Sequence, residues 1–425
     1  MCRAERLGIV LITLILLALS CSEEKDPGDE SACGEGYTDA ATAAQLTALL
    51  AGETERICLL EGAYEGEFLI KRPVTLKGEG PEKTVIFSQS DTPLTVRGSG
   101  NVSISDIGFK LELATLAETP ALRVEARLPG PEEPADGIQN VAVSNIAVSS
   151  KNGGGIRVTD TVNFTLANAT VTADAKGIVL LGMFGVTVAT LSGVTAQDCG
   201  RMGVAFANGA QGSVVNSILQ RNGYTGLWIQ DTAKISVADS TIKDNALAGI
   251  NIVNAKNILI ENSEIVSSKE LTGKPGADGI VVYTPELAGD PIMAGDPIMQ
   301  RAFTLLNSTV KDHPRAALVF DGTETSTGKE LRNLLFSGVT IFRMDYGVVF
   351  QNGLAPESFG GDSEAVSEDY SDGYDMGTSD VDTMNGTDAA TVGDAEPASD
   401  GEMPDVDTPS SGDGALEIPN EQEEF

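Results

Sequence analysis

Hydrophobic and polar residues alternate in short runs, and these runs recur at a fixed interval in the middle of the chain. A Gly-apolar-x-apolar tetrad occurs three times at a spacing of 23 residues, starting at Gly203, Gly226 and Gly249. The polar pairs between the tetrads repeat at the same spacing and are Asn216-Ser217, Asp239-Ser240 and Asn262-Ser263. Alternation of this kind predicts short β-strands, and a fixed period of this length is typical of a solenoid.

The same polar position can be followed through most of the chain. Its residues are Asp106, Asn145, Asn168, Ser192, Asn216, Asp239, Asn262, Asn307 and Ser337. Equal positions of successive coils would lie about 4.8 Å apart, which is the spacing of paired strands. We therefore expect the Asn side chains to hydrogen-bond to one another along the axis inside the turn, and Val and Ile to stack into a dry core.

The start of the repeat carries the signals of a cap. Asp39 is the expected N-cap of a helix over residues 40–51, Gly52 is its expected stop, and Leu46, Leu49 and Leu50 lie on one face. Such a helix would cover the apolar stacks and the open strand edges of the first coil.

The segments that follow resemble the entry coil of the pectin-lyase-like superfamily. Glu61-Gly62-Ala63-Tyr64 matches its Gly-x-Tyr turn, and Leu76-Lys77-Gly78-Glu79-Gly80 matches its Leu-x-Gly-x-Gly turn. The resemblance covers residues 36–354. It implies an all-β fold, a single-stranded right-handed parallel β-helix solenoid with a short N-terminal capping helix. It implies no particular activity, because this fold hosts many chemistries.

Residues 1–20 have the features of a signal peptide. Arg3 and Arg6 precede the apolar run 7–19, which is too short to span a bilayer. The segment from Leu17 to Cys21 resembles the lipobox of bacterial lipoproteins, which implies lipid attachment at Cys21 and an outer-membrane lipoprotein. The acidic residues 21–35 would then tether a domain that faces the periplasm or the cell surface. The alternative is an ordinary signal peptide with an incidental cysteine.

Three cysteines remain after such processing: Cys33, Cys58 and Cys199. A disulfide between Cys33 and Cys58 would join the leader to the first coil, as suits an exported protein. Pairing of Cys58 with Cys199 is the alternative, and the sequence leaves it open.

The net charge of -34 makes nucleic acid an unfavourable partner on electrostatic grounds. No Lys or Arg follows Arg343, and residues 355–425 are rich in Asp, Glu, Gly and Ser, which predicts a disordered acidic tail. This tail lacks the spaced Asp-x-Asp-x-Asp-Gly loop with a closing Glu that binds Ca²⁺, so we assign no cofactor, and weak association of Ca²⁺ with the Asp-rich clusters is the alternative.

Catalysis on the outer surface would need reactive groups from one outward column of neighbouring coils. The column through the tetrads contains no acid pair and comprises Arg157, Val179, Ala205, Trp228, Asn251 and Val281. His313 is the only histidine and is expected to be a turn residue in a polar stack, and an acid/base site at His313-Pro314-Arg315 is the alternative. We therefore predict no catalytic residue and no metal site. Insertions flank this sheet at 110–120, 126–135, 268–277, 286–301 and 322–332.

Trp228 is the strongest binding candidate, because its strand neighbours point inward and its column neighbours are small or polar. An exposed Trp228 beside Tyr224 would stack on a sugar ring, and Tyr283 and Arg157 would extend a groove along the same face. The alternative is an indole that a loop covers.

Together these features favour a lipid-anchored protein of the cell envelope that binds a glycan or an envelope partner without catalysis. A polysaccharide lyase or related glycan-active enzyme is the alternative, and a structural spacer is a third hypothesis. A cluster of outward carboxylates with an arginine would favour the enzyme.

Overall fold

The computed structural model describes residues 31–98, 100–126, 138–183, 185–269, 277–284, 303–322, 334–344 and 346–351. The expected signal peptide, the lipidation site Cys21, most of the insertions after residue 126 and the acidic tail lie outside these residues. Among the described residues, no helix has the length and apolar content needed to cross a bilayer.

The described chain contains one helix and a series of short strands. The first elements are β1 (Thr38–Ala40), α1 (Ala43–Ala51), β2 (Arg56–Leu59), β3 (Gly62–Glu65), β4 (Phe68–Ile70), β5 (Val74–Lys77), β6 (Thr84–Ser88), β7 (Leu94–Arg97), β8 (Val102–Glu112), β9 (Pro120–Glu125) and β10 (Ile138–Lys151). The central elements are β11 (Gly154–Thr159), β12 (Thr161–Ala173), β13 (Ile178–Leu181), β14 (Val188–Ser192), β15 (Thr195–Gln197), β16 (Val204–Ala207), β17 (Gln211–Val215), β18 (Ile218–Gln220), β19 (Thr225–Gln230), β20 (Ala233–Ala238) and β21 (Thr241–Lys243). The last elements are β22 (Ala248–Val253), β23 (Lys256–Glu261), β24 (Glu264–Val266), β25 (Asp278–Thr284), β26 (Phe303–Leu306), β27 (Thr309–Lys311), β28 (Ala316–Gly322), β29 (Leu334–Ser337), β30 (Thr340–Phe342) and β31 (Tyr346–Gln351).

The strands pair in parallel with the equivalent strand of the next coil, and they form three faces. One face is an eleven-stranded sheet in the order β4, β7, β9, β11, β13, β16, β19, β22, β25, β28 and β31. The other twenty strands form two faces that share the long strands β8, β10 and β12. The first half of β8 pairs with β5 and its second half with β6. The chain is therefore a right-handed parallel β-helix, as the sequence predicts.

The repeated polar position forms the expected contact in its first two coils, where Nδ2 of Asn145 donates to Oδ1 of Asp106 at 2.5 Å, but in the central coils it bends the chain instead. Asn216, Asp239, Asn262 and Asn307 adopt the left-handed conformation, with φ between 46° and 50°, and their side chains are exposed. Asn and Asp tolerate this conformation better than other residues with a side chain. The predicted stack of these side chains inside the turn is therefore wrong for these coils.

The ladder inside this turn is made by the serine that comes one residue later. The amide of Ser217 donates to Oγ of Ser240 at 3.1 Å, and the amide of Ser240 donates to Oγ of Ser263 at 3.2 Å. The amide of Ser263 donates in turn to Oγ of Ser308. Each hydroxyl donates to the carbonyl two residues before it, so the buried polar groups satisfy one another from coil to coil.

The capping helix is shorter than predicted and begins at Ala43. Thr42, not Asp39, is the N-cap, because its hydroxyl accepts from the amide of Gln45 at 3.2 Å. The Gln45 side chain accepts in return from the amide of Ala41, which completes a reciprocal cap. Asp39 belongs to β1, where pairing with β2 holds it extended.

The first coil is also fixed covalently, by a disulfide between Cys33 and Cys58. Cys199 is free and buried, and burial raises the pKa of its thiol to about 12, so it is unreactive at neutral pH. The alternative pairing of Cys58 with Cys199 is not the one that forms.

Candidate functional site

The outward column of the eleven-stranded sheet changes character along the axis. Its successive residues are Leu69, Thr95, Arg123, Arg157, Val179, Ala205, Trp228, Asn251, Val281, Val319 and Val349. The charged positions are confined to β9 and β11. The positions beyond them are mainly apolar, and Val179, Ala205, Trp228 and Val319 are buried.

The parallel pairing of β9 with β11 makes Arg123 and Arg157 direct neighbours. The side chains on either side of each arginine are buried in the core, so both guanidiniums are on the outer face. Ladder pairing holds their backbones about 4.8 Å apart. Each side chain is half-buried rather than fully solvated.

These two arginines differ from the others because they lack partners. Neither guanidinium makes a hydrogen bond or an ion pair in the described structure. The arginines with a carboxylate, carbonyl or aromatic partner are Arg56, Arg72, Arg97, Arg201, Arg221, Arg315 and Arg343. Two adjacent, partly desolvated cations without an anion between them are electrostatically unfavourable. The pair is therefore a candidate anion-binding site.

The environment of Arg157 disfavours its charged form. Partial burial is the main cause that lowers its pKa, and repulsion from Arg123 lowers it further. Glu125 and Glu118 act in the opposite direction but do not cancel these effects. An anion bound between the two arginines would relieve both unfavourable terms.

Further charged residues surround the pair. On one side Arg97 donates to Glu125, with Nε 2.7 Å from the carboxylate. On the other side Glu118 is shared by Lys176 at 3.6 Å and Arg201 at 3.3 Å. Bases outnumber acids in this cluster, although the whole chain carries a net charge of -34. A local excess of positive charge on an acidic protein attracts anions to one place.

We define the basic face by these residues: Arg97, Glu118, Arg123, Glu125, Arg157, Lys176 and Arg201. Of its members, only Arg157 was predicted from the sequence. Arg123 was missed because the insertions before and after β9 lengthen this coil and break the period, and Lys176 and Arg201 were missed because they lie in turns outside the outward column. A usable signal was present: both arginines lie between apolar residues, in Leu122-Arg123-Val124 and Ile156-Arg157-Val158.

Trp228 is not the exposed platform that one of the two expectations required. It belongs to the outward column as predicted, but only 7% of its surface is exposed. Its indole nitrogen donates to Gln230 at 3.0 Å, and its ring centroid lies 6.0 Å from that of Tyr224. The neighbouring Ala205 leaves room for the ring to lie along the sheet. The prediction of an exposed indole is therefore wrong, and the covered arrangement is the one that forms.

The four predicted binding residues do not converge on one point. Arg157 lies three coils from Trp228, which corresponds to about 14 Å along the axis. Tyr283 is in the neighbouring outward column, two coils beyond Gln230. Tyr224 is half-buried and lies one coil from Arg201, whose carbonyl accepts from the Tyr224 amide at 3.0 Å.

His313 is a structural residue, as expected. It is 1% exposed, and both ring nitrogens face backbone groups: Nδ1 accepts from the amide of Ser268 at 3.2 Å, and Nε2 lies 3.1 Å from the carbonyl of Ile265. Within the described part of the chain, no group of three or more His, Cys, Asp or Glu side chains is arranged to hold a metal ion.

Comparison with known proteins supports the fold. Residues 135–285, a little over a third of the chain, match the family model described as a right handed beta helix region. A search of curated proteins found no match.

Several solved structures are similar in fold. One is the A-module of a mannuronan C-5 epimerase from Azotobacter vinelandii, with 15% identity over 76% of this chain and 97% of that chain, at a TM-score of 0.42. Another is an alginate lyase from a Paenibacillus species, with 13% identity over 75% of this chain and 98% of that chain, at a TM-score of 0.40. A third is the enzymatically active domain of tailspike protein 2 from bacteriophage CBA120, with 10% identity over 75% of this chain and 47% of that chain, at a TM-score of 0.48. Similarity at this level carries no information on the ligand or reaction of the present chain, which folds as a right-handed parallel β-helix.

Proposed function

We propose that this protein is a lipid-anchored module of the cell envelope whose β-helix binds an anionic glycan without altering it. The observation that carries the proposal is the unpartnered pair Arg123 and Arg157 on the outer face. A planar guanidinium matches a carboxylate with two parallel hydrogen bonds, so the pair suits a uronic acid.

Binding of polygalacturonate by the full chain tests the proposal, with neutral dextran as the comparison polymer. Arg123→Gln and Arg157→Gln are each expected to weaken binding about 10-fold or more, because a charge-assisted hydrogen bond contributes roughly 1.5–3 kcal/mol. Arg221→Gln is the matched control, since Arg221 is paired with Asp198 outside the basic face. Equal binding of dextran, or equal effects of all three variants, would refute an arginine-based site.

A polysaccharide lyase is the second candidate, and one observation favours it. A lyase of acidic glycans needs a cation that neutralises the uronate carboxylate and a base that removes the proton next to it, and the adjacent guanidiniums of Arg123 and Arg157 suit the first of these roles. In that reaction the base takes the ring proton, the glycosidic bond to the neighbouring sugar breaks, and the leaving oxygen gains a proton. Release of unsaturated uronates, followed by ultraviolet absorbance and abolished in Arg157→Gln, would favour the enzyme over the binding module.

The anchor is a separate part of the proposal, and it rests on the lipobox-like segment that ends at Cys21. Labelled palmitate should be incorporated by the wild-type chain in a bacterial host and not by Cys21→Ala. Label that persists in Cys21→Ala would exclude this cysteine as the attachment point.

A further inference from the structure

Glu118 holds a position on the basic face that a ligand carboxylate would also favour. It comes from the loop between β8 and β9, and its two oxygens face Lys176 and Arg201. These cations belong to later coils, so Glu118 reaches along the axis past the strand that carries Arg157. Its charge is also felt at Arg157, where it opposes the lowering of the pKa.

The two cations that hold Glu118 differ in accessibility. The Lys176 side chain is only 6% exposed, whereas the Arg201 side chain is 29% exposed and Glu118 is 41% exposed. A ligand that approaches from outside can therefore reach Arg201 but not Lys176. If Arg201 turned towards a ligand, Glu118 would keep its ion pair with Lys176 and would not be left as an unpaired, partly buried charge.

Arg201 lies along the axis from the arginine pair and next to Tyr224. From Arg157, the coil that contains Arg201 is two steps away, or about 10 Å between backbones. An extended chain with several carboxylates can contact both positions, whereas a single carboxylate held between Arg123 and Arg157 leaves Arg201 to Glu118. The basic face therefore contains two anion positions, one unpartnered and one that Glu118 fills.

We propose that Glu118 is an internal competitor that sets the selectivity of the site. A ligand with a single carboxylate binds at Arg123 and Arg157 and leaves Glu118 in place. A polyuronate binds there too, and its second carboxylate displaces Glu118 from Arg201. This inference rests on the proposed function, because it assigns a role to a neighbour of the same arginine pair.

The test compares two probes, galacturonate monosaccharide and pentagalacturonate, on the full chain by calorimetry. Arg201→Gln should weaken pentagalacturonate binding about fivefold and leave galacturonate binding unchanged, as expected for one partly exposed ion pair. Glu118→Gln should strengthen pentagalacturonate binding by a similar factor. Its amide oxygen still accepts from Lys176, so the buried amine keeps a partner.

A double-mutant cycle separates direct competition from a general charge effect. In the Arg201→Gln background, Glu118→Gln should no longer strengthen pentagalacturonate binding. Glu125→Gln is the matched control: Glu125 also acts on Arg157 but pairs with Arg97, so its neutralisation should change the affinity for both probes by the same factor.

The outcomes distinguish this inference from the proposed function. Binding of neither probe to the wild-type chain would overturn both. Binding of pentagalacturonate with a Glu118→Gln effect that persists without Arg201, or that is equal for both probes, would overturn the competitor role and leave the anion site intact. The Arg201→Gln comparison decides the matter even if Glu118→Gln folds poorly.

Discussion

His313 replaces an asparagine in a polar stack, and this makes the stack sensitive to acid. The side chain of Asn222 accepts from the amide of Cys199 and donates to the carbonyl of Ala196, which lies three residues before Cys199. Asn245 repeats this arrangement on the next coil. His313 makes the same pair of contacts to Ser268 and Ile265 through its two ring nitrogens. Unlike an amide, the imidazole loses its acceptor when it is protonated.

The cost of removing His313 follows from these contacts. In His313→Leu the amide of Ser268 loses its acceptor in a buried site, and the carbonyl of Ile265 loses a donor. Each unsatisfied group costs about 1–3 kcal/mol, so we expect a loss of about 2–5 kcal/mol of unfolding free energy. His313→Asn restores both contacts and should cost about 1 kcal/mol, mainly for the smaller volume.

The stability that His313 contributes should decrease as the pH falls. Burial is the main cause that lowers the pKa of His313, and the Ile265 carbonyl, Asp278 and Asp312 offset it only in part. As the pH falls below about 6.5, the unfolded chain binds a proton before the folded chain does. The contribution of His313 is therefore complete above about pH 6.5 and is lost as the pH falls towards the folded pKa.

Urea unfolding at pH 8 and pH 5, followed by circular dichroism, measures both effects. The wild-type chain should lose more stability between these values than His313→Asn does, because all other titrating groups are common to the two. Hydrogen exchange at Ser268 should rise in parallel. The same pH-dependent loss in both chains, or a His313→Leu chain as stable as His313→Asn, would refute the proposed role of the imidazole.

Three further predictions test the scaffold and the candidate site. Replacing Cys33 and Cys58 by serine should cost about 3 kcal/mol in urea unfolding, because a disulfide that spans a sequence separation of 25 no longer restricts the unfolded chain. Gly177→Ala should cost about 1–3 kcal/mol, since its Cβ would lie 2.4 Å from a backbone oxygen, whereas Gly52→Ala, at 3.4 Å from its nearest neighbour, should leave the melting temperature nearly unchanged. Trp228, the only tryptophan, should emit at short wavelength and resist iodide quenching; strong quenching of the folded protein would contradict its burial.

The sequence predicted the fold because a solenoid repeats the same physical requirement in every coil. The tetrads at Gly203, Gly226 and Gly249 had to recur for the core to continue, so the period was visible without a structure. The cap was predicted in the right place but began at Thr42 rather than Asp39. Both residues suit an N-cap, but the pairing of β1 with β2 removes Asp39 and the reciprocal contacts with Gln45 favour Thr42.

The candidate site was harder to predict, because the alternation of residues along a strand shows which side chains point outward but not whether they are exposed to solvent. Trp228 points outward as the alternation requires, yet it is covered. Arg123, which lies beside Arg157 in the β9–β11 pairing, could not be predicted for a different reason. The coil between Arg123 and Arg157 is longer than the regular repeat, so the register could not be carried back to Arg123 from the period alone.

The arginines of the basic face show how a residue that stabilises the fold can be distinguished from one that binds a ligand. An arginine retained for stability should have a partner, as Arg221 and Arg315 do. Arg123 and Arg157 have none among the residues that the structure describes, and ladder pairing fixes them next to each other. Neutralising either one removes a repulsion that the unliganded fold has to tolerate. Arg123→Gln and Arg157→Gln, which are expected to weaken binding, are therefore also expected to leave the melting temperature unchanged or to raise it. Binding sites often show this trade-off, because their residues favour the ligand at some cost in stability.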